Sequence, residues 1–188
     1  MELQSMGQHT LLNGQVLLIR EAVPEDAAAV LEYVNTVSGE TDFLGFGGGE
    51  FELTEAEEAE VFRRFHDADN QLYLVGLIGE TVVAIINFSG GKRKRVRHCG
   101  EFGMSVRKAY WGLGIGGAML DSLVAWADES GVVTKINLRV RADNERAIRL
   151  YNRKGFIHEG TLRNDVQIDG AYHHSHIMGL IIGGTEKG

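Results

Sequence analysis

Short apolar runs and alternating apolar and polar residues recur along the chain, and both patterns are typical of β-strands. Seven segments show such a pattern. In chain order they read QVLLIREA, QLYLVGLI, TVVAIINFS, RHCGEFGMSV, TKINLRV, GFIHEGTLRNDVQI and YHHSHIMGLII. Turn residues at Gly79-Glu80 and Asp169-Gly170 separate two neighbouring pairs, so these pairs are predicted to form hairpins.

Four other segments have the features of helices. The first begins at Pro24, where proline and the two following acids suit a helix N-terminus. Thr54 and Glu57 have the spacing of a capping box, which predicts a second, acidic helix that ends near Phe65. The third helix follows a glycine-rich turn that begins at Gly112, and the fourth covers about residues 144–154.

The resulting order is β-α-α-β-β-β-α-β-α-β-β, which predicts an α/β fold: a mixed sheet with helices on both faces. A chain of 188 residues is long enough for one domain with a full core. Residues 1–14 show no periodicity and are expected to be a loose N-terminal arm. A single domain is therefore predicted over residues 15–183.

Composition narrows the class of protein. The chain is 44% hydrophobic and 24% charged, which is ordinary for a soluble globular protein. It has no segment that resembles a signal peptide or a membrane span, and its one cysteine, Cys99, cannot form an internal disulfide. A cytoplasmic location fits these features. A net charge of −7 argues against a general nucleic-acid binder, and no membrane partner is expected.

The charge is unevenly distributed. Five basic residues fall in the segment 92–97, which contains no acid, so the remainder of the chain is strongly acidic and favours cationic partners. The basic segment fits a solvated loop between two strands best. A nuclear-localisation or nucleic-acid patch, and a contact with the outer phosphates of an anionic cofactor, are the alternatives.

The stretch AYWGLGIGGAML has four glycines within six residues, and an apolar helical pattern follows at once. A turn that exposes backbone at a helix N-terminus is suited to an anion. Gly112, Gly114 and Gly117 match the dinucleotide fingerprint, but at least three strands precede them, whereas that fingerprint opens the first strand–helix unit. Asp143 could end the next strand, so a dinucleotide remains an alternative. The Walker pattern is absent.

A second motif, NERAIRLYNRKGF, places Asn144, Ala147, Ile148 and Tyr151 on one helical face. Gly155 ends this helix. Together with YWGLGIG about thirty residues upstream, the motif closely resembles the signature of the GNAT N-acetyltransferases, which include ribosomal-protein and small-amine acetyltransferases. The resemblance covers residues 17–182 by element order and is motif-specific over residues 101–156.

The resemblance implies an acyl-CoA N-acyltransferase fold that binds acetyl-CoA with its pyrophosphate on the glycine turn. It also implies that the fourth predicted strand splays from the fifth, and that the pantetheine arm enters the opening. The cofactor contacts implied are Met104, Ser105, Val106, Trp111, Gly112, Leu113, Gly114, Ile115, Gly116, Gly117, Asn144 and Tyr151. Gly114 and Gly116 would let the backbone approach the ligand. Family members usually have Gln or Arg where this chain has Trp111, so one side-chain contact with phosphate is missing or is replaced by indole packing.

Acetyl transfer needs a group that accepts the amine proton, a donor for the carbonyl oxygen and an acid for the leaving thiolate. Tyr151 is the candidate acid, and core packing is its alternative role. Glu101 either accepts the amine proton through water or anchors a cationic substrate, and a strand-edge acid without function is the alternative. The backbone N–H of Met104 is the candidate oxyanion donor.

Other candidates carry less weight. Glu40 and Asp42 lie in a glycine-rich loop that commonly lines the acceptor site in GNAT enzymes, so they would suit a cationic amine, although exposure to solvent explains them equally. His173, His174 and His176 lack an acid or cysteine at ligand spacing, and we expect no metal. Cys99 is more typical of a small buried residue than of a nucleophile.

We therefore predict an acetyl-CoA-dependent N-acetyltransferase that transfers acetyl directly to a primary amine in a ternary complex. A CoA-binding sensor or partner module and an NAD-dependent oxidoreductase are the alternatives. The acceptor is a small molecule or a peptide amine: polyamines, amino acids, aminoglycosides, drug-like amines and protein N-termini all fit the sequence. A homodimer is common in the family.

Overall fold

The computed structural model describes residues 5–44, 47 and 52–183. Within these ranges the chain forms one open sheet of eight strands and four helices. The strands are β1 (Ser5–Thr10), β2 (Val16–Glu21), β3 (Gln71–Ile78), β4 (Thr81–Gly90), β5 (Cys99–Val106), β6 (Lys135–Arg141), β7 (Ile157–Ile168) and β8 (Ala171–Ile181). The helices are α1 (Ala27–Ser38), α2 (Glu55–His66), α3 (Ile115–Ser130) and α4 (Glu145–Arg153).

The strands lie in the order β1-β2-β3-β4-β5-β6-β8-β7, and every neighbouring pair is antiparallel except β5–β6, which is parallel. Side chains of α3 and α4 pack on one face of the sheet, and those of α1 and α2 pack on the other. The predicted mixed sheet with helices on both faces is therefore confirmed, and it holds two hydrophobic clusters, one beneath each helix pair.

Local signals in the sequence correspond to the observed helix ends. The backbone N–H of Glu57 donates to Thr54 Oγ1 over 3.3 Å, and the backbone N–H of Thr54 donates to Glu57 Oε2 over 2.9 Å, which is the predicted capping box. Pro24 begins a short 3₁₀ turn that leads into α1. The motif helix α4 begins one residue later than predicted, at Glu145, and Asn144 is its N-terminal cap.

The N-terminal arm differs from the expectation. Residues Ser5–Thr10 are strand β1, which pairs with β2 at the edge of the sheet. The segment shows no apolar alternation because Met6 is its one apolar side chain, and backbone pairing with β2 holds the strand in the sheet. Leu11, which follows the strand, is 5% exposed and belongs to the core. Residues 1–4 of the predicted arm lie outside the described residues.

Three buried tyrosines predict an alkaline limit to stability. Burial raises the pKa of Tyr151 to about 12 and also raises the pKa of Tyr33 and Tyr73. In the unfolded chain a phenol ionises near pH 10, so the stabilisation is fully present below pH 10 and is lost as pH rises through the folded-state values. The free energy of unfolding should fall by about 1.4 kcal/mol per pH unit for each such phenol.

Urea unfolding at pH 8.5, 9.5, 10.5 and 11 checks this expectation. Tyr151→Phe should reduce the steepness of the decline, because it removes one titrating phenol. Tyr172→Phe is the matched control, since it removes the hydroxyl of a tyrosine that is 62% exposed. A midpoint that stays constant across this range would show that burial does not hold these phenols neutral.

Candidate active site

The parallel strands β5 and β6 diverge along their length. They pair only at Cys99–Lys135, Gly100–Ile136 and Glu101–Asn137. Beyond Glu101, β5 continues to pair with β4 and β6 continues to pair with β8. A slot therefore opens between the two strands, and the backbone of β5 from residue 102 onward offers one edge to an extended ligand. The splay expected at residues 104–106 is confirmed. We call the Glu101–Asn137 pair the apex of the slot.

The glycine turn leads from the end of β5 into α3. Gly112 and Gly114 have φ angles of 82° and 93°, a region that favours glycine. A Cβ built on either residue would have no neighbour within 4 Å among the described atoms, so the outer side of the turn is open. Gly114 caps α3 without a side chain, and the first-turn N–H groups of a helix have no carbonyl partner within it. This arrangement fits a phosphate group.

Gly116 and Gly117 serve a different purpose from Gly114. A Cβ on Gly116 would lie 3.2 Å from Leu150 Cδ2 and 3.6 Å from Met104 Cε. A Cβ on Gly117 would lie 3.6 Å from Lys154 Cε. The missing side chain of Gly116 therefore allows α3 to pack closely against α4, whereas a Cβ on Gly117 would make an ordinary contact. The expectation that Gly116 lacks a side chain to make room for a ligand is therefore wrong. The side chains of Leu150 and Met104 occupy the space next to its Cα.

Trp111 holds a cation beside the turn. Its indole Nε1 donates to the carbonyl oxygen of Val106 over 2.7 Å, which fixes the ring. The guanidinium carbon of Arg146 lies 4.5 Å from the ring centre. Within the described ranges Arg146 has no acidic partner, whereas Arg149 and Lys154 have one each. Arg146 could not be predicted as a site residue, because no local signal links a residue of α4 to an aromatic residue 35 positions upstream.

The basic segment 92–97 lies in the loop between β4 and β5, as the favoured interpretation predicts. This loop precedes β5, whereas the glycine turn follows it, so the eight residues of β5, about 26 Å of strand, separate the two. Arg97 is bound to Asp69, with Nη2 and Oδ1 2.6 Å apart. The segment is therefore too far along β5 to contact a phosphate held at the turn itself, and its contact with the outer phosphates of a cofactor stays a prediction.

Tyr151 lies on α4 and is 7% exposed. Its ring packs edge-on against Phe102 of β5 and Phe156, with centroids 5.9 and 6.0 Å away. Its hydroxyl forms no hydrogen bond in the described part of the chain. Because burial raises its pKa to about 12, the hydroxyl remains protonated at neutral pH. The ring thus belongs to the core while the hydroxyl is still available to a ligand.

Asn144 has a structural role in addition to the ligand contact that the resemblance implies. Its Oδ1 accepts a hydrogen bond from the backbone N–H of Ala147 over 3.2 Å, which caps α4. The Nδ2 group of Asn144 remains available as a donor. The cap also fixes the direction of α4 and so helps to place Tyr151.

Glu101 lies at the apex on the face of the sheet that α1 and α2 cover elsewhere. Its Oε1 is 4.0 Å from Nε of Arg139, and the two side chains are 54% and 50% exposed. Arg139 Nη1 is 3.4 Å from Asp165 Oδ1. At the same apex, Asn137 Nδ2 donates to Cys99 Sγ over 3.0 Å. Cys99 has no basic group at hydrogen-bond distance in the described residues, so the structure offers no activated thiol.

The loop after α1 is attached to the ends of β5 and β6. Glu40 Oε2 accepts a hydrogen bond from the backbone N–H of Lys108 over 2.7 Å. The backbone oxygen of Asp42 accepts one from Arg141 Nη1 over 2.9 Å, while the carboxylate of Asp42 is exposed. Glu40 therefore has a structural partner, and Asp42 is the freer of the two acids. Residues 45–46 of this loop lie outside the described residues.

Two further contacts join α1 to the end of β5. Glu32 binds Arg107 Nη2 with both carboxylate oxygens at 3.0 and 3.1 Å. The hydroxyls of Tyr33 and Ser105 are 2.9 Å apart. The side chain of Ser105 thus faces α1, so any contact between this residue and a ligand in the slot must come from its backbone.

Three histidines of the β7–β8 hairpin make polar contacts within the hairpin, whereas His173 Nδ1 lies 3.7 Å from Oδ2 of Asp143. The Thr161 hydroxyl lies 3.0 Å from His158 Nε2 and 2.9 Å from His176 Nδ1, and the two imidazole rings pack at 90°. His174 Nδ1 accepts the backbone N–H of Asn164 over 3.0 Å. Over the residues that the structure describes, no three metal-ligating side chains come together as a cation site. Likewise, no described helix is long and apolar enough to cross a bilayer.

Comparison with known proteins agrees with this geometry. Residues 42–156 match the model of the acetyltransferase (GNAT) family. The L-amino acid N-acetyltransferase AaaT of Escherichia coli is 31% identical over 114 residues, which cover 58% of this chain and 70% of that protein. The structure of a GNAT-family acetyltransferase from Streptococcus pneumoniae superposes with a TM-score of 0.86 at 35% identity, over 89% of this chain and 99% of the other.

A putative acetyltransferase from Salmonella typhimurium, yncA, was determined with its cofactor acetyl-CoA. It superposes with a TM-score of 0.78 at 19% identity, over 90% of this chain and 96% of the other. At this identity the likeness concerns the fold.

Proposed function

Given that this chain belongs to the acetyltransferase (GNAT) family and is an N-acetyltransferase with acetyl-CoA as co-substrate, we propose that it acetylates a primary amine by direct transfer within a ternary complex. The observation that carries this proposal is the slot between β5 and β6, which has an open, uncapped helix N-terminus at one end and Glu101 at its apex. The two ends suit an anionic cofactor and a cationic acceptor respectively.

The glycine turn would hold the pyrophosphate of acetyl-CoA. The N–H groups of Ile115, Gly116 and Gly117 are the donors of the first helical turn, and Gly112 and Gly114 shape the approach. Arg146 on Trp111 adds a positive charge beside them, in place of a charged side chain within the turn itself. The backbone of Met104 and Val106 would pair with the pantetheine arm, and Asn144 Nδ2 would donate to it.

Acetyl-CoA supplies the thioester carbon to which the amine nitrogen bonds as the carbon–sulfur bond breaks. The hydroxyl of Tyr151 would donate a proton to the leaving sulfur, and the backbone N–H of Met104 would donate to the carbonyl oxygen. The proton that the amine loses passes through water to Glu101. The side chain of Glu101 is 54% exposed, so water can reach its carboxylate.

Steady-state kinetics test this proposal. Release of free CoA thiol is followed while acetyl-CoA and an amine are varied independently, with a panel of polyamines, amino acids, aminoglycosides and peptides as acceptors. Direct transfer predicts intersecting double-reciprocal lines, because both substrates must be bound before any product leaves.

Cys99→Ala supplies the control for a covalent route. Cys99 is the chain's one thiol, and direct transfer predicts that its replacement leaves turnover unchanged. Parallel lines, or loss of turnover in Cys99→Ala, would instead indicate an acetylated enzyme. Tight binding of acetyl-CoA without turnover on any amine would favour the sensor alternative.

A further inference from the structure

A basic side chain stands next to Glu101 at the apex of the slot. Arg139 lies on β6, two positions after Asn137, and successive alternate residues of a strand point to the same face. Asn137 is the last residue of β6 that pairs with β5, so Arg139 lies where the slot begins to open. Its guanidinium reaches back to Glu101, the residue to which the proposed function assigns the acceptor amine.

Arg139 is held less tightly than the other basic residues on this face of β6. Arg141 binds Asp143 through two nitrogens at 2.9 and 2.6 Å and is 10% exposed. Lys135 is 2.8 Å from Glu159. The guanidinium of Arg139 lies 4.0 Å from Glu101 and 3.4 Å from Asp165, and its side chain is 50% exposed. The first of these exceeds hydrogen-bond distance, so the guanidinium retains N–H donors that no described residue satisfies.

We propose that Arg139 binds the carboxylate of the acceptor, and that the acceptor is therefore a free α-amino acid, whose amine lies at Glu101. This inference rests on the proposed function and specifies its substrate class. An α-amino acid has an ammonium and a carboxylate on one carbon atom, so its complement is an acid and a base side by side. Glu101 and Arg139 supply this arrangement with charges 4.0 Å apart.

The same pair disfavours other amines. A polyamine or an aminoglycoside has several positive charges and no carboxylate, so the guanidinium would repel it. A residue within a protein chain has its carboxylate in a peptide bond, which would leave the Arg139 donors without an anionic partner. Arginine suits the task because its planar fork can make two parallel hydrogen bonds with a carboxylate.

Paired substrates test the inference directly. Each pair is an amino acid and the amine that lacks only its carboxylate: leucine with 3-methylbutylamine, phenylalanine with 2-phenylethylamine, and alanine with ethylamine. The protein should have a higher kcat/KM for the amino acid in at least one pair. Binding of the same compounds to the protein saturated with CoA, which cannot transfer acetyl, gives a readout that does not depend on turnover.

Arg139→Gln should lower kcat/KM and affinity for the preferred amino acid about 30-fold, the order expected when hydrogen bonds to a charged group are lost. It should leave the paired amine almost unaffected. Arg139→Lys, which keeps the charge and loses the fork, should give an intermediate loss. Lys135→Gln is the matched control: it removes one positive charge from the same face of the same strand and should leave the preference for the amino acid unchanged.

Three outcomes would overturn the inference. If the unmodified protein prefers the amine over the amino acid in every pair, the proposed function survives and the amino acid specificity fails. If Arg139→Gln lowers the activity on both members of a pair equally while Lys135→Gln does not, Arg139 supports Glu101 and does not recognise a carboxylate. If neither member of any pair, nor any amine of the wider panel, is acetylated although acetyl-CoA binds, the proposed function fails and the inference fails with it.

Discussion

Gly114→Val is expected to abolish binding of acetyl-CoA while the fold is retained. Gly114 has a φ of 93°, a conformation that a β-branched residue adopts only at a cost of about 1–3 kcal/mol. Valine would therefore either strain the turn or change its path, and in both cases the first-turn N–H groups of α3 would no longer converge on one anion. Its side chain would also occupy the open outer side of the turn, where no described atom now lies within 4 Å of a built Cβ.

Isothermal titration with CoA measures the loss, and thermal unfolding measures the integrity of the fold. Gly131→Val is the matched control, because Gly131 caps the other end of α3 with a φ of 63° and its Cβ would also have no neighbour within 4 Å. The control should have a similar loss of stability and normal affinity for CoA. Normal affinity in Gly114→Val would place the cofactor elsewhere.

Tyr151→Phe is expected to lower kcat by about 10²–10⁴-fold, the range for loss of a general acid, with little change in affinity for acetyl-CoA. The substitution removes only the hydroxyl, which has no hydrogen bond in the described part of the chain. The ring contacts with Phe102 and Phe156 should be retained, so the variant should fold normally. Initial rates, CoA titration and thermal unfolding of the same preparation separate these effects.

The pH dependence of the rate adds a second check on Tyr151. Because burial raises its pKa to about 12, ionisation of Tyr151 should not limit the rate of the unmodified protein below about pH 11. Tyr172→Phe, at an exposed position far along the chain, should have unchanged kcat. Turnover close to that of the unmodified protein in Tyr151→Phe would reduce Tyr151 to a packing residue.

Much of the architecture could be predicted because its signals are local. Each of these signals comes from residues that are close together in the sequence. Examples are the capping box at Thr54, the turn residues of the hairpins and the apolar face of α4. The edge strand β1 could not be predicted in this way. Met6 is its one apolar side chain, so pairing with the backbone of β2 stabilises it without leaving an apolar pattern in the sequence.

The residues of the candidate site also fall into two groups, those marked by a local motif and those identified only by long-range contacts. Contiguous motifs contain Gly112, Gly114 and Tyr151, so these residues could be predicted from the sequence. Arg139 and Arg146 became candidates only through contacts with Glu101 and Trp111, which are 38 and 35 positions away. Long-range pairs of this kind follow from strand order and helix packing, and composition or periodicity contains no information about them.

The two acids of the α1–α2 loop show a second limit of prediction from the sequence. The sequence presents Glu40 and Asp42 as equivalent carboxylates in a glycine-rich loop. In the structure Glu40 accepts a backbone hydrogen bond from Lys108, whereas Asp42 uses its backbone oxygen and leaves its carboxylate exposed. Which carboxylate is available to a ligand depends on the path of the loop past β5 and β6, and residue type alone does not determine it.

The close packing at Gly116 restricts how this sequence can evolve. A methyl group at position 116 would lie 3.2 Å from Leu150, so even alanine requires the leucine to move or to shrink. Positions 116 and 150 are therefore expected to covary among related sequences, with a larger residue on α3 accompanied by a smaller one on α4. The two motifs of this chain are thus linked by a shared volume, and each sets the mutations that the other tolerates.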